Sequence, residues 1–376
     1  MTDPRRSVVL VAHGAEWGGT ERHVADLAAG LRAEGTEVHV VLSADGPVAR
    51  RFRDREIATA IVSRTANLPS YLLRMTGALR RLRPRLVHLH SGRWPALAAR
   101  SAGVPCVLET RHGLERDSPG DRRKPSLLEE FRGDVSSRWI DGTIAVCRSD
   151  AREIRLAGGR AKVYCVPNGV VPPPADPRPQ PARGAEGAEA GALRLGFLGR
   201  LTRQKGLEFL FKALAREGRP WRLEIAGTGE GEAPLRGLAA RLGLTDRVDF
   251  LGFVDEPGRV FASWDLVVIP SLWEGLPYAA LEALAAGRPL LATRVGGMGE
   301  LIREGEWGWL AAPGDATSLR DAFSRVPWDP LRLARMGQRG RRHLAEYYTA
   351  DRMLKRVLSV YEDACRPLSR NHRGIG

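Results

Sequence analysis

Short apolar runs alternate with helical patterns along the first half of this chain of 376 residues. In Thr20–Glu34, for example, Val24, Leu27 and Leu31 recur at helical spacing. The apolar runs predict strands at Val8–Ala12, Glu37–Leu42, Ala60–Val62, Leu86–His90, Cys106–Glu109, Thr143–Val146 and Val163–Val166. Such alternation of strands and helices is typical of βαβ units, which build parallel sheets covered by helices.

A stretch rich in Pro, Gly and Ala, Val171–Ala192, interrupts this alternation and is predicted to be a linker, because such a composition cannot bury a core. Beyond it, strands are predicted at Leu193–Leu198, Arg222–Ala226, Val248–Leu251, Leu266–Ile269 and Pro289–Thr293. We therefore expect an α/β protein with two doubly wound lobes, an N-terminal domain over 1–170 and a C-terminal domain over 193–345. Residues 346–376 are predicted to form a last helix, about Ala350–Cys365, and a tail.

The composition is that of an ordinary globular protein, with 43% apolar and 27% charged residues, and excludes wholesale disorder. The apolar runs are too short for a membrane span or a signal peptide, so we expect a cytoplasmic protein. A net charge of +14 permits an anionic partner. The sequence carries no helix-turn-helix, zinc or RNA-binding signature, and no nucleic-acid partner is expected.

Four cysteines are scattered along the chain, at Cys106, Cys147, Cys165 and Cys365. No two of them have the spacing of a metal site or a redox motif. Their neighbours are mostly apolar, so the sequence predicts buried free thiols.

The loop after the first strand contains Gly18, Gly19 and Thr20. The two glycines let the backbone pass close to a ligand, and Thr20 can cap the following helix. Amides at that helix start can face an anion or a sugar hydroxyl. A plain strand-to-helix turn fits the same residues, and the loop is not the Gly-rich motif of dinucleotide-binding proteins.

Two cations, Arg200 and Lys205, bracket the loop Gly199–Gly206 that opens the second lobe. The loop leads into a helix, whose positive end lies near these cations. Two cations and a helix N-terminus suit a diphosphate, and two solvated surface charges fit the pattern equally well.

Two carboxylates stand in the segment Ser271–Glu282. Glu274 lies in the loop after a predicted strand, and Glu282 lies in an apolar helix that begins near Pro277. A carboxylate in such a helix needs a partner or a ligand. Pairing of Glu282 with Arg294 or another buried base is the structural alternative, but loop chemistry and helix placement together favour binding of sugar and ribose hydroxyls.

These segments, in this order, resemble the retaining glycosyltransferases of GT-B architecture and Glu-x7-Glu type (group 1, family 4). The resemblance covers most of the chain. It rests on Pro270–Leu310 for the Glu-x7-Glu region, Gly199–Gly206 for the phosphate segment, Gly18–Arg22 for the Gly-Gly-x-Glu-Arg loop and Val166–Val170 for the turn before the interdomain crossing. Val171 departs from the family, which usually has Asp there, and this bears on the geometry of the linker.

The resemblance implies a role for each site residue. Arg200 and Lys205 would hold the diphosphate of a nucleotide sugar, Glu282 the ribose hydroxyls and Glu274 the transferred sugar. The base would lie against Gly252 and Phe253. The turn of Gly296, Gly297 and Met298 would hold sugar or phosphate through its amides.

In the first lobe, His112 matches the family's active-site histidine beside the donor sugar. His90 is a weaker candidate, since a structural histidine at a strand end fits as well. The family's last helix crosses back to the first lobe, and we expect this also of Ala350–Cys365.

The implied reaction is a retaining, front-face transfer of a hexose from a nucleotide-diphosphate sugar to a hydroxyl acceptor, in cell-surface polysaccharide or glycolipid biosynthesis. No Asp-x-Asp triplet occurs in the sequence, so a metal-bridged diphosphate is not expected. The expected site thus contains no metal and no cofactor other than the donor. A nucleotide-sugar epimerase of the same fold and a non-catalytic basic GT-B partner protein are the alternatives.

Positive charge concentrates on the first lobe, where Ala49–Arg85 holds ten Arg against Asp54 and Glu56. Within it, Tyr71–Arg85 has apolar residues at helical spacing among its arginines. Two interpretations fit this pattern equally. The helix lies on an anionic membrane, near a lipid-linked acceptor, or it faces the core and keeps a solvated basic edge.

Overall fold

The structure is a computed structural model that describes residues 7–64, 67–92, 94–114, 138–159, 161–172 and 191–365. The first lobe contains β1 (Ser7–Ala12), α1 (Gly19–Ala33), β2 (Glu37–Leu42), α2 (Pro47–Asp54), β3 (Ala58–Ile61), α3 (Leu68–Leu82), β4 (Leu86–Leu89), α4 (Trp94–Ser101), β5 (Cys106–Arg111), β6 (Gly142–Ala145), α5 (Arg148–Leu156) and β7 (Lys162–Cys165). Of the predicted linker, the structure describes only residues 171–172 and 191–192. The predicted tail beyond 365 lies outside the described residues.

The second lobe follows the same alternation. It contains β8 (Leu193–Leu198), a 3-10 turn (Arg203–Lys205), α6 (Leu207–Leu214), β9 (Trp221–Ala226), α7 (Glu232–Arg241), a 3-10 turn (Thr245–Arg247), β10 (Val248–Gly252), α8 (Pro257–Ser263), β11 (Leu266–Ile269), α9 (Tyr278–Ala285), β12 (Leu290–Thr293), α10 (Met298–Leu301), β13 (Gly308–Ala311), α11 (Ala316–Ser324) and α12 (Pro330–Tyr347). The last helix is α13 (Ala350–Ala364).

Each lobe is built on one parallel sheet. The strand order is β3-β2-β1-β4-β5-β6-β7 in the first lobe and β10-β9-β8-β11-β12-β13 in the second. The chain reverses its direction of winding beside β1 and beside β8, and a ligand crevice opens beyond the carboxyl ends of the strands at such a point. The predicted doubly wound α/β architecture is confirmed.

The central strands are buried because helices cover both faces of each sheet. All six residues of β1 are buried, as are all four of β4, β11 and β12. Val24, Leu27 and Leu31 of α1 are also buried, as their helical spacing predicts. Strand β13 was not predicted, since its short sequence Gly-Trp-Leu-Ala lacks β-branched residues.

The last helix returns to the first lobe, as the resemblance implied. Val357 and Tyr361 of α13 are buried in the core that α1 and β1 form, and Leu354 and Leu358 pack against it. The two interdomain crossings run side by side, because Val170 accepts from the Ala350 amide and donates to the Tyr348 carbonyl, both at 3.0 Å.

The prediction of four free thiols is wrong for two of them. Cys106 of β5 and Cys365, next to the end of α13, form a disulfide with their Cα atoms 5.5 Å apart. The pair is 259 residues apart in sequence, so no local spacing could reveal it. Cys147 is a buried free thiol, and Cys165 is free and half-buried.

The apolar stripe of Tyr71–Arg85 belongs to the core. Tyr71, Met75 and Leu79 of α3 are buried, and α3 packs against α4. The exposed edge keeps Arg74, Arg80, Arg81 and Arg83, together with Leu73, whose side chain is 75% exposed. Across the described parts of the chain, no helix combines the length and apolarity that a membrane span requires.

Candidate active site between the lobes

Three loops meet where the carboxyl ends of the two sheets face each other. A Cβ on Gly275, after β11, would lie 2.3 Å from the His112 carbonyl oxygen, after β5. A Cβ on Gly296, after β12, would lie 2.1 Å from the Glu274 carbonyl oxygen, and Gly296 has a positive φ of 47°. Only glycine permits these backbone approaches, which bring predicted site residues of both lobes together.

Lys205 and Glu274 form a largely buried ion pair. The Lys205 ammonium donates to Glu274 Oε1 at 2.5 Å, and Ser271 Oγ donates to the same oxygen at 2.8 Å. The Glu274 side chain is 8% exposed and that of Lys205 is 18% exposed. Within the described residues, both hydrogen bonds end on Oε1, so the second carboxylate oxygen is the one left for a ligand.

Arg200 lies further out than Lys205. Its side chain is 58% exposed, and its guanidinium lies 3.8 Å from Glu16 of the first lobe. A Cβ on Gly199 would lie 3.6 Å from Lys205 Cε, so the Lys205 side chain passes the start of the Arg200 loop. Lys205 is therefore largely buried beside Glu274, and Arg200 lies at the exposed rim of the cleft.

Glu282 makes an interlobe ion pair. Its Oε1 lies 3.1 Å from Nη1 of Arg22, a residue of the Gly-Gly-x-Glu-Arg loop that the sequence analysis left without a role. Arg294, the partner named as the structural alternative, lies instead 3.8 Å from Glu304. Burial raises the pKa of Glu282, an effect that Arg22 opposes.

The remaining predicted donor residues lie around the same cleft. Gly19 faces the second lobe, since a Cβ there would lie 3.6 Å from Tyr278 Cδ2; Gly18 is the N-cap of α1. Gly252 accepts from the Gly227 amide at 2.7 Å, and Phe253 next to it is 55% exposed.

Phe253 faces α2 of the first lobe. The Arg51 guanidinium lies 5.6 Å from the centre of its ring and pairs with Asp255.

The turn of Gly296, Gly297 and Met298 uses two of its amides internally. The Gly297 amide donates to the Gly275 carbonyl at 2.7 Å, and the Met298 amide donates to the Val295 carbonyl at 3.0 Å. This turn is thus held against the Glu274 loop, while its contact with a donor stays a prediction.

A cluster of four histidines, at His23, His88, His90 and His112, lies beside the contact between Gly275 and His112, at the carboxyl ends of β1, β4 and β5. His90 Nδ1 is 3.1 Å from His112 Nε2, so both predicted histidines lie together. His23 of α1, which the sequence analysis missed, has its ring centre 4.8 Å from that of His112. The sequence held one indication of His23 as a site residue, because it directly follows Arg22 and lies on the inward face of α1.

Burial lowers the pKa of each of these imidazoles, to about 4 for His23 and about 3 for His88. The pKa values of His90 and His112 are lowered first by burial and then by the neighbouring imidazoles, which disfavour a second positive charge. All four rings are therefore neutral at pH 7.

Comparison with known proteins gives the family. The profile described as Glycosyl transferases group 1 matches residues 181–343, and that described as Glycosyltransferase Family 4 matches residues 17–172. The D-inositol 3-phosphate glycosyltransferase of Rhodococcus erythropolis is 30% identical over 411 positions, which cover 94% of this chain and 91% of that protein. The chain belongs to the glycosyltransferases. The 2-deoxystreptamine glucosyltransferase of Streptomyces kanamyceticus is 31% identical, over 73% of this chain and 76% of that protein.

This glycosyltransferase also resembles solved structures over nearly its whole length. Anabaena HepE, in a complex with UDP-glucose, superimposes with a TM-score of 0.80 at 20% sequence identity, over 95% of this chain and 99% of that one. This likeness establishes the shared fold, and the GT-B architecture of two facing Rossmann-like lobes is confirmed.

The substitution Gly275→Ala tests the backbone contact in this glycosyltransferase. The new methyl group would overlap the His112 carbonyl and lie 2.6 Å from Val146 Cγ2, so we expect a loss of about 1–3 kcal/mol in the free energy of unfolding. Urea unfolding measures it. Gly258→Ala is the control, because nothing lies within 4 Å of a Cβ there. Equal midpoints for the two variants would contradict the close approach.

The histidine cluster predicts a loss of stability on mild acidification. Below about pH 6.5, His88 binds a proton in the unfolded chain but not in the folded protein. A buried histidine of this kind lowers the free energy of unfolding by about 1.4 kcal/mol per pH unit, until the pH reaches its pKa in the folded protein. Thermal unfolding between pH 7.5 and 5 should show a shallower pH dependence for His88→Gln than for the wild type. The control is His13→Gln, which removes an exposed imidazole. Parallel curves for wild type and His88→Gln would refute the assignment.

Proposed function

We propose that this glycosyltransferase moves a hexose, with retention of configuration and without a metal, from a nucleotide-diphosphate sugar to a hydroxyl acceptor. The observation that carries the proposal is the Lys205–Glu274 pair, buried where loops of both lobes meet. A cation held there in advance stabilises the charge that gathers on a departing diphosphate, and it needs no reorganisation during the reaction.

The surrounding residues support distinct roles. The free oxygen of Glu274 can accept from a hydroxyl of the sugar while Oε1 stays bound to Lys205 and Ser271. His112, whose carbonyl contacts Gly275, would lie against the same sugar. Arg200 at the rim adds a second cation for the diphosphate, and Glu282 offers its other oxygen to the ribose.

The transfer step then needs no protein nucleophile. The bond between sugar C1 and the diphosphate oxygen breaks, and the acceptor oxygen bonds to C1 on the same face. The acceptor's proton passes to the departing diphosphate, which carries the electron pair of the broken bond. Lys205 and Arg200 stabilise that leaving group.

Contacts between the lobes support a closed state that excludes water. Arg22–Glu282, Arg200–Glu16 and Arg51–Asp255 all join one lobe to the other. The last two are largely exposed, and such pairs contribute at most about 1 kcal/mol each. Breaking these two pairs to admit a donor therefore costs little, and closure suppresses donor hydrolysis.

The relatives named above suggest one class of acceptor. Their names specify inositol phosphate and 2-deoxystreptamine, which are both hydroxylated six-membered carbocycles. Two acceptor classes are therefore to be compared. One is a small polyol of this class, and the other is a lipid-linked acceptor for cell-surface polysaccharide or glycolipid.

Donor binding is tested first, by thermal shift against UDP-, GDP-, ADP- and dTDP-sugars without added metal. A donor at a hundredfold excess over its Kd stabilises the folded protein by about 2.7 kcal/mol. We expect one base to raise the Tm of the wild type, and Lys205→Ala and Glu282→Gln to reduce that rise markedly. Lys212→Ala, which removes a lysine in the same lobe, is the matched control.

The products then decide between reactions. NMR of the glycoside should show the donor's anomeric configuration. Conversion of the donor without an acceptor would instead indicate an epimerase, and donor binding without any product would favour a non-catalytic partner protein. If no nucleotide sugar raises the Tm, the donor site is wrong.

For the membrane, we propose that the exposed basic edge of α3 attracts an anionic surface. Each arginine near such a surface contributes about 1 kcal/mol, so Arg81→Gln with Arg83→Gln should weaken vesicle binding by roughly thirtyfold. Sedimentation with phosphatidylserine-containing vesicles measures it. Arg332→Gln with Arg335→Gln, exposed on α12, is the control. Equal binding of both double variants would reject this surface.

A further inference from the structure

Three of the clustered histidines bring ring nitrogens close to one another. His23, His90 and His112 each have a ring nitrogen within 4.8 Å of those of the other two. The three residues follow β1, β4 and β5, which are neighbours in the sheet, so the fold itself brings them together. In a tetrahedral zinc site with bonds of 2.0–2.1 Å, ligand nitrogens lie about 3.3 Å apart. His90 Nδ1 and His112 Nε2 are already at 3.1 Å, where they share one hydrogen-bonding proton that a metal ion would displace.

The tautomer of His23 is fixed by a carboxamide behind it. Asn168 Nδ2 donates to the Leu276 carbonyl at 2.7 Å, which leaves Asn168 Oδ1 to accept from His23 Nδ1 at 3.1 Å. His23 Nε2 is therefore the nitrogen with the free lone pair. A metal-binding histidine is typically held in this way, by a hydrogen bond from its other nitrogen.

Two of the three side chains carry unsatisfied nitrogens in the interior. His23 is 2% exposed and His90 is 5% exposed. Among the residues that the structure describes, Nε2 of each has no hydrogen-bond partner. An unpaired buried polar atom costs about 1–3 kcal/mol, and a metal ion on His23 Nε2 would recover that cost there.

The fourth histidine of the cluster is not a ligand. His88 Nδ1 bonds to the Tyr361 hydroxyl at 2.8 Å, and its Nε2 bonds to Thr110 Oγ1 at 2.7 Å. Its ring centre lies 4.2 Å from that of His90, so it provides a neighbouring control.

We infer that His23, His90 and His112 form a binding site for one transition-metal ion of the Zn²⁺ class. Neutral imidazoles suit zinc, nickel and copper, and three histidines with an open fourth position form a known type of zinc site. The half-buried His112 provides the open side. This ion does not bridge the diphosphate. It occupies the lone pair of His112, so under the proposed function it inhibits transfer, a consequence that rests on that function.

Metal binding is measured without any nucleotide sugar. We expect the purified wild type to take up one equivalent of Co²⁺, with the visible absorption of a tetrahedral site, and Zn²⁺ to displace it. X-ray absorption of the zinc form should show imidazole nitrogens at about 2.0–2.1 Å. His23→Gln and His90→Gln should each weaken zinc binding at least tenfold. Asn168→Ala should weaken it by about 10–100-fold, as loss of an outer hydrogen bond does in metal sites.

His88→Gln and His343→Gln are the matched controls, and both should bind zinc as the wild type does. Circular dichroism and thermal unfolding verify the fold of every variant. The site is refuted if the wild type takes up no stoichiometric metal, or if His88→Gln loses affinity as His90→Gln does. If the ligand variants fail to fold, the X-ray absorption spectrum of the wild type decides instead. Fewer than three imidazoles bound to the zinc would overturn the proposed site.

Inhibition is a separate measurement. If the site and the proposed function both hold, Zn²⁺ lowers the transfer rate of the wild type, and His90→Gln needs at least tenfold more Zn²⁺ for the same effect. A wild type that binds Zn²⁺ but transfers no sugar retains the metal site and refutes the proposed function. Unaltered transfer by the metal-bound enzyme would contradict the inhibitory role.

Discussion

The site depends on the direct contact of backbones between loops of the two lobes. Gly275 touches the His112 carbonyl, and Gly296 touches the Glu274 carbonyl, at distances that no side chain allows. Since Gly275 also accepts the amide of Gly297, the three loops form one unit. The positions of Glu274 and His112 therefore follow from rigid backbone packing, and side-chain rotamers add only the final orientation.

Burial at this unit sets its electrostatics. The histidines are neutral because the protein interior disfavours their charged forms and each imidazole opposes charge on the next. Lys205 and Glu274 avoid a comparable penalty by pairing, because a buried ion is tolerated when an opposite charge and a hydrogen bond satisfy it. The buried Lys205–Glu274 pair thus lies on the second lobe, and the neutral histidine cluster faces it from the first.

The sequence predicted what is local and missed what is distant. The parallel sheets follow from apolar runs, and Lys205 and Glu274 follow from their places after strands, since strand ends share one edge of a sheet. The Arg22–Glu282 pair, the Cys106–Cys365 disulfide and the His23 contact join residues far apart in the chain. Such contacts depend on how distant elements pack together, which no local spacing encodes. The donor's place in the cleft, likewise, rests on pocket shape.

Asn168 shows how the crossing between the lobes limits their motion. It lies two residues before Val170, which pairs with the return crossing, and it is 3% exposed. Its amide bonds to His23 of one lobe and to the Leu276 carbonyl of the other. If the lobes rotate about the crossing, bonds this close to it change least, and the exposed pairs of Arg51 and Arg200 would be weaker restraints on that rotation. We therefore expect opening of the cleft to pivot about the crossing and to leave the histidine cluster assembled.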